Sequence, residues 1–259
     1  MHLLIPDWPD LPRNIGALST TRQGGVSSIP YDDGSGGGDG GMNLGTHVGD
    51  RPDAVQRNRA LLRDVLPAEP CWLTQVHGTR VVDAARASGV PEADASLTGE
   101  RGVVCVVQTA DCLPVLFCDS NGTTVGAAHA GWRGLAAGVL ENTVASMRDV
   151  GAGEILAWLG PAIGPAHFEV GEDVRQAFVE RFIDLGLGAD QARAAFHPVA
   201  GVTAKYLADI YLLARSALQR IGVTRISGGD LCTVSDTQRF YSYRRDRVTG
   251  RMASLIWIK

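Results

Sequence analysis

Short apolar runs bounded by polar or glycine-rich turns alternate with longer segments in which apolar residues recur every three to four positions. The short runs at 17–21, 71–74, 80–83, 103–107, 115–118, 123–128 and 155–159 predict strands, the central ones rich in Val. Asn121-Gly122, between two of them, is a two-residue hairpin signal, so antiparallel neighbours are expected in the sheet. A helix is expected over 51–66, where Val55, Leu62, Val65 and Leu66 share a face behind a capping Asp50 and an early Pro52. Further helices are predicted over 135–150, 172–182 and 204–221, and closing strands near 224–226, 240–243 and 252–258. Hairpins mixed with long helices point to a mixed-sheet α/β fold rather than a simple doubly wound one.

A chain of 259 residues with 45% hydrophobic and 20% charged positions can bury a core without disulfides or a metal, and one domain over 1–259 is expected. The low-complexity stretch 32–41, mostly Gly and Asp, reads as a flexible loop. No apolar run reaches the roughly 18 to 20 residues of a membrane span. The opening Met1-His2-Leu3-Leu4-Ile5-Pro6-Asp7 breaks too early for a signal peptide, so a cytoplasmic protein without membrane contact is expected. A net charge of −4 argues against a nucleic-acid partner. Lys205 and Lys259 are the only lysines among 24 basic residues, a bias that genome composition explains as well as anion recognition does. Five cysteines with no CxxC pair are read as reduced thiols. Composition sets no oligomeric state.

Three segments carry candidate chemistry: Gln75-Val76-His77-Gly78, Ala110-Asp111-Cys112-Leu113-Pro114 and Ala128-His129-Ala130-Gly131-Trp132-Arg133-Gly134. Each puts a metal-capable side chain at a strand end or in the following loop. Two imidazoles and a thiolate suit Zn²⁺, with Cu²⁺ as second choice, and three protein ligands leave one position open for catalysis. The spacing matches no local zinc pattern, so by itself it also allows ordinary packed or solvated residues. Near the end, Ser242-Tyr243-Arg244-Arg245-Asp246-Arg247, followed by Thr249-Gly250-Arg251, is either a solvated turn or, facing a cleft, a phosphate or ribose site. No GxxxxGK[ST] loop, no G-x-S-x-G elbow and no nucleobase-deaminase zinc signature is present.

These motifs, with Thr20-Thr21-Arg22-Gln23-Gly24-Gly25, Met42-Asn43-Leu44-Gly45, His47-Val48-Gly49-Asp50 and Gly160-Pro161-Ala162-Ile163-Gly164, run through nearly the whole chain. In this order they resemble the laccase-domain, YfiH-like family, known also as peptidoglycan editing factors, polyphenol oxidases and purine nucleoside phosphorylases. The resemblance implies a four-layer α/β fold similar to that of certain cysteine-hydrolase toxins, and a metal held by His77, Cys112 and His129. It implies phosphorolysis of adenosine, inosine and methylthioadenosine, with some adenosine deamination. Purine nucleosides and phosphate are then the partners. Arg133 and Arg244 are the candidates for phosphate. Asn43, Gln75 and Asp111 are expected to contact ribose or base, or to orient His77 or His129. The competing readings are a copper-dependent phenol oxidase, a metal-free Cys112/His129 hydrolase, and a non-catalytic binding protein in cell-wall quality control. The Gly/Asp-rich stretch before Asn43 departs from the family's shorter turn.

Overall fold

In a computed structural model, which describes residues 1–259, the short apolar runs become the strands of two packed sheets. The chain runs β1 (Leu3–Leu4), β2 (Ile15–Thr20), β3 (Gln23–Ser27), α1 (Pro52–Arg63), β4 (Pro70–Cys71), β5 (Val81–Asp83), β6 (Ala95–Thr98), β7 (Val104–Thr109), β8 (Leu113–Asp119) and β9 (Val125–Ala130). It continues α2 (Trp132–Ala137), α3 (Val139–Asp149), β10 (Ile155–Leu159), β11 (Glu169–Gly171), α4 (Glu172–Asp184), α5 (Ala189–Arg193), β12 (Phe196–Pro198), β13 (Lys205–Ala208), α6 (Ile210–Arg220), β14 (Arg225–Gly228), α7 (Tyr243–Asp246) and β15 (Met252–Ile258). One sheet has the order β1-β2-β15-β7-β4 and a second the order β14-β10-β8-β9-β6-β5, while β11-β13-β12 form a small third sheet. Pairing is largely antiparallel, with parallel contacts at β4–β7, β5–β6 and β10–β14, so both large sheets are mixed.

Period-two alternation along buried strands divides the apolar side chains among separate cores. On β7, Val104 and Val106 face α1, whereas Cys105 and Val107 face the second sheet. On β8, Leu116 and Cys118 enter that inter-sheet core, and Val115 and Phe117 pack against α2, α3, α4 and α6. The result is four layers: α1, the first sheet, the second sheet, and the helical layer. No helix is long and apolar enough to cross a membrane, and all five cysteines are free.

The hairpin expected at Asn121-Gly122 joins β8 to β9, paired antiparallel from Leu113 opposite Ala130 to Cys118 opposite Val125. Other expectations are corrected. Asp50 does not cap α1; its carboxylate accepts from Ser27 Oγ (2.6 Å) and Asn43 Nδ2 (2.9 Å), and Val65 lies exposed beyond the helix end. The helix expected over 135–150 breaks into α2 and α3 at Gly138 (φ 100°), where a Cβ would sit 2.5 Å from the Arg181 guanidinium. The first residues of 204–221 form β13 instead, and Asp209 starts α6 by accepting from the Leu212 amide at 2.9 Å. Residues 240–243 are no strand: Phe240 and Tyr241 are fully buried plugs, and Ser242 caps the short α7. The 32–41 stretch is tied at its base, where the Asp33 amide donates to the Asp39 carbonyl (3.0 Å) and Arg22 binds Asp32.

Candidate metal centre

The ladder itself brings two of the three candidate ligands together. Pro114 pairs with His129 and Leu113 with Ala130, so Cys112, one residue before β8, lies beside the buried His129 on β9. On the other side of β9, Ala95 pairs with Ala128, and the ladder extends by the His129 amide donating to the Asp94 carbonyl at 2.7 Å. His77 arrives from the loop between β4 and β5. Cys112 Sγ lies 3.8 Å from His77 Nε2, and one ligand atom each of His77, Cys112 and His129 falls within 4.8 Å of the others. The two imidazoles meet edge-on, centroids 4.7 Å apart.

Asp94 holds this arrangement. Its carboxylate is wholly buried; Oδ1 accepts from the His77 amide (2.9 Å) and His129 Nδ1 (2.8 Å), and Oδ2 from the Gly78 (2.7 Å) and Val76 (3.2 Å) amides. Three consecutive backbone amides on one carboxylate secure His77 at φ 61°, a left-handed conformation that costs a non-glycine residue about 1–3 kcal/mol. The bond to Nδ1 fixes the His129 proton there and leaves Nε2 facing Cys112. Burial raises the Asp94 carboxyl, but the His129 bond and the loop amides outweigh it and hold it below the ordinary range.

Burial likewise opposes charge on Cys112 and His129, yet each stabilises the other. The Cys112 thiol is brought down to about 6 by the two imidazoles, and His129 is pushed up to about 9 by Cys112 and Asp94. The metal-free protein thus holds a thiolate beside an imidazolium, and a cation can take the place of the shared proton. Gly131 supplies the room: a Cβ there would stand 2.9 Å from Cys112 Sγ, 3.0 Å from His77 Cδ2 and 3.4 Å from His129 Nε2. Two Nε2 atoms and a thiolate around a space that a single methyl would fill are a fitting donor set for a zinc-like ion.

A cavity of about 780 Å³ opens over the cluster, walled also by His47, Arg59, Trp72, Gln75, Tyr243 and Arg251. Of the candidate substrate residues only Gln75 lines it, and its amide is locked in a reciprocal pair with the Gln108 backbone (2.7 and 2.8 Å). Asn43 is wholly buried, its Oδ1 accepting from the Gly45 (2.9 Å) and Arg251 (2.8 Å) amides, so it braces loops. Asp111, at φ 88°, accepts from Thr233 Oγ1 (2.6 Å), Ser242 Oγ (3.0 Å) and the Arg244 amide (2.6 Å), which anchors the residue preceding Cys112. Arg133 is exposed and stacks on Trp132 at 4.4 Å, outside the cavity lining. The Arg244 guanidinium also lies outside that lining; it donates to the Glu169 carbonyl (2.9 Å), while Asp246 pairs with Arg245 (2.7 Å).

Sequence reasoning missed Asp94 and Arg59, whereas Arg251 belongs to the chain-end cluster that it named and does line the cavity. Asp94 left a signal, a lone acid in the small apolar run Ala93-Asp94-Ala95-Ser96-Leu97. Arg59 left none, since its neighbours are distant in sequence.

Residues 16–259 match the family described as multi-copper polyphenol oxidoreductase laccase. The chain is similar to a purine nucleoside phosphorylase of Pseudomonas aeruginosa, 54% identical over 256 residues that cover 99% of this chain and 98% of that protein. It is similar to purine nucleoside phosphorylase YfiH of Escherichia coli K12, 52% identical over 262 residues, covering 99% and 98%. Among solved structures, one from Neisseria meningitidis has 48% identity, a TM-score of 0.88 and full coverage of both chains. YlmD from Geobacillus stearothermophilus has 29% identity and a TM-score of 0.82, covering 100% of this chain and 97% of that one.

Proposed function

The chain belongs to the multi-copper polyphenol oxidoreductase laccase family, and from that premise we propose that it is a metal-dependent purine nucleoside phosphorylase. The observation that carries the proposal is one cavity holding both a His–Cys–His cluster and guanidinium groups, on a chain whose relatives bear that enzyme's name. The substrates are adenosine, inosine and methylthioadenosine, cut by phosphate to the free base and the ribose 1-phosphate. The reading puts the enzyme in the cytoplasm, where nucleosides, phosphate and reduced thiols occur together.

Phosphorolysis of an N-glycoside needs phosphate held against C1′ and the departing base relieved of negative charge. His77, Cys112 and His129 would hold Zn²⁺, which when bound would supply Lewis acidity or lower the pKa of a water. The rest falls to the chain. Asp94 keeps His129 in the Nδ1–H tautomer and His77 in place. Asp111 secures the turn into Cys112 against the 232–244 loops. Gln75 fixes the wall between the sheets, and the exposed Tyr243 ring offers an apolar face on which a purine can lie.

The test is product analysis after incubating zinc-loaded and chelator-treated protein with adenosine and phosphate. Adenine and ribose 1-phosphate, formed only with phosphate and lost on chelation and in Cys112→Ala, are expected. Inosine formed without phosphate would assign a deaminase instead. Turnover that survives chelation would assign the metal-free Cys/His hydrolase, and phenol oxidation with stoichiometric copper the oxidase.

A further inference from the structure

We infer that Arg59, Arg251 and His47 form the subsite that holds a tetrahedral phosphate, supplied as free orthophosphate, in the cavity of the metal cluster. This rests on the phosphorylase reading and names where its nucleophile binds. It replaces Arg133 and Arg244, neither of which lines that cavity.

Both arginines are partly buried and line the cavity with His47 and the three cluster residues. Neither guanidinium is paired with a carboxylate; their protein partners are backbone carbonyls alone. Arg59 Nε and Nη2 both donate to the Leu44 carbonyl (3.0 and 2.9 Å), and the guanidinium lies 3.8 Å over the Trp72 ring. Its Nη1 is left over. Arg251 Nη1 donates to the Thr249 and Gly250 carbonyls (3.1 Å each), leaving Nε and Nη2. Glu69 near Arg59 and Asp111 near Arg251 ease the burial of these charges only in part, without an ion pair, and a bound anion offsets the remaining cost. Burial already pulls both guanidinium groups below their usual range. Two fixed forks with spare donors match phosphate oxygens better than single ammonium groups would.

The two arginines are far apart in sequence and are brought together by one short segment. The Leu44 amide donates to the Arg251 carbonyl (3.1 Å) while the Leu44 carbonyl receives Arg59. Asn43 Oδ1 binds the Arg251 amide, and Gly45 must lack a side chain because a Cβ would stand 2.8 Å from Arg251 Cγ. His47 follows two residues later on the cavity rim. The Met42-Asn43-Leu44-Gly45 motif, unused by the metal cluster, is thereby accounted for as the frame of an anion site.

The test uses the metal-loaded full chain with Arg59→Gln and Arg251→Gln. Orthophosphate binding is measured by calorimetry without nucleoside, and the KM for phosphate in turnover. Each substitution removes a charge-assisted contact, so Kd and KM for phosphate should rise about 10- to 100-fold, with metal content unchanged and nucleoside KM within about twofold. Should a Gln variant fail to fold, Arg59→Lys and Arg251→Lys keep the charge, lose the fork, and should show a smaller rise of the same sign. A nucleoside 5′-monophosphate forms a second arm. Arginine-dependent binding of that nucleotide, without arginine-dependent binding of orthophosphate, overturns the assignment to the nucleophile. Arginine-dependent orthophosphate binding with no nucleoside cleavage leaves the subsite standing and removes the phosphorylase reading. Cleavage with an unchanged phosphate KM in both variants removes the subsite alone.

Discussion

Replacing Asp94 by Asn changes one atom in a wholly buried carboxylate, and it should disable the metal centre. The carboxylate receives four N–H donors, two on each oxygen. Asn keeps one acceptor, so either orientation turns two contacts into donor facing donor. If the amide nitrogen takes the Oδ2 place, Val76 and Gly78 lose their partner and the left-handed His77 turn is released. If it takes the Oδ1 place, His129 is driven to carry its proton on Nε2, the atom that faces Cys112. Two lost bonds to a charged acceptor at about 1.5–3 kcal/mol each give a destabilisation of about 3–6 kcal/mol. Zinc affinity should fall about 10- to 100-fold, the usual effect of removing the group that orients a ligating imidazole. Thermal melting of the chelated protein and competition with a chromophoric chelator measure the two effects. The Co²⁺-substituted protein adds an independent readout through its thiolate absorption. An Asp94→Asn protein with unchanged melting temperature and unchanged zinc affinity would refute the reasoning.

Three further outcomes follow from the same geometry. Gly131→Ala forces a methyl into the space between Cys112 and His77; overpacking of about 1–3 kcal/mol, taken from metal binding, should lower zinc affinity roughly 10- to 100-fold, and an unaltered titration would show that the ion does not sit there. In metal-free protein the folded state favours the Cys112 thiolate, so iodoacetamide labelling should be constant above about pH 6 and fall as pH drops through it. Zinc should block that labelling, whereas Cys105 and Cys118, pushed up to about 12 by burial, stay inert; a half-rise near the ordinary thiol value of about 8.5 contradicts the pairing. Arg244→Ala removes the bond to the Glu169 carbonyl, so stability should drop by about 0.5–1.5 kcal/mol while the phosphate KM stays within about twofold. A tenfold rise in that KM would return Arg244 to the phosphate site.

Legibility in the sequence followed the range of the interactions. The strands at Ile155–Leu159 and Met252–Ile258 and the hairpin at Asn121-Gly122 were readable because alternation and turn chemistry are local. The break at Gly138 was hidden, since it depends on an arginine from α4 filling the space where a side chain would be. Phe240 and Tyr241 looked like strand residues because burial, not ladder pairing, selects bulky apolar side chains there. Within the site, His77, Cys112 and His129 were named from chemistry and resemblance, but their partners were not. Asp94 meets His129 only through the β6–β9 register, and Arg59 meets Arg251 only through Leu44.

The two large sheets specify the packing and place His129, yet most of the centre lies in loops at their ends, where no ladder fixes the backbone. Three buried polar side chains take over that role: Asn43 for the 43–47 segment and Arg251, Asp94 for 76–78 and His129, and Asp111 for 232–244. Each satisfies backbone amides that the loops would otherwise bury unpaired. This explains why Asn43 and Asp111 read from the sequence either as substrate contacts or as residues orienting a ligand: a polar residue inside a motif looks alike whether it faces ligand or main chain. It also accounts for the two non-glycine residues near the cluster with positive φ, His77 and Asp111. Each is held by a carboxylate, Asp94 for one and its own for the other, so strain that would otherwise relax is fixed where ligand geometry requires it.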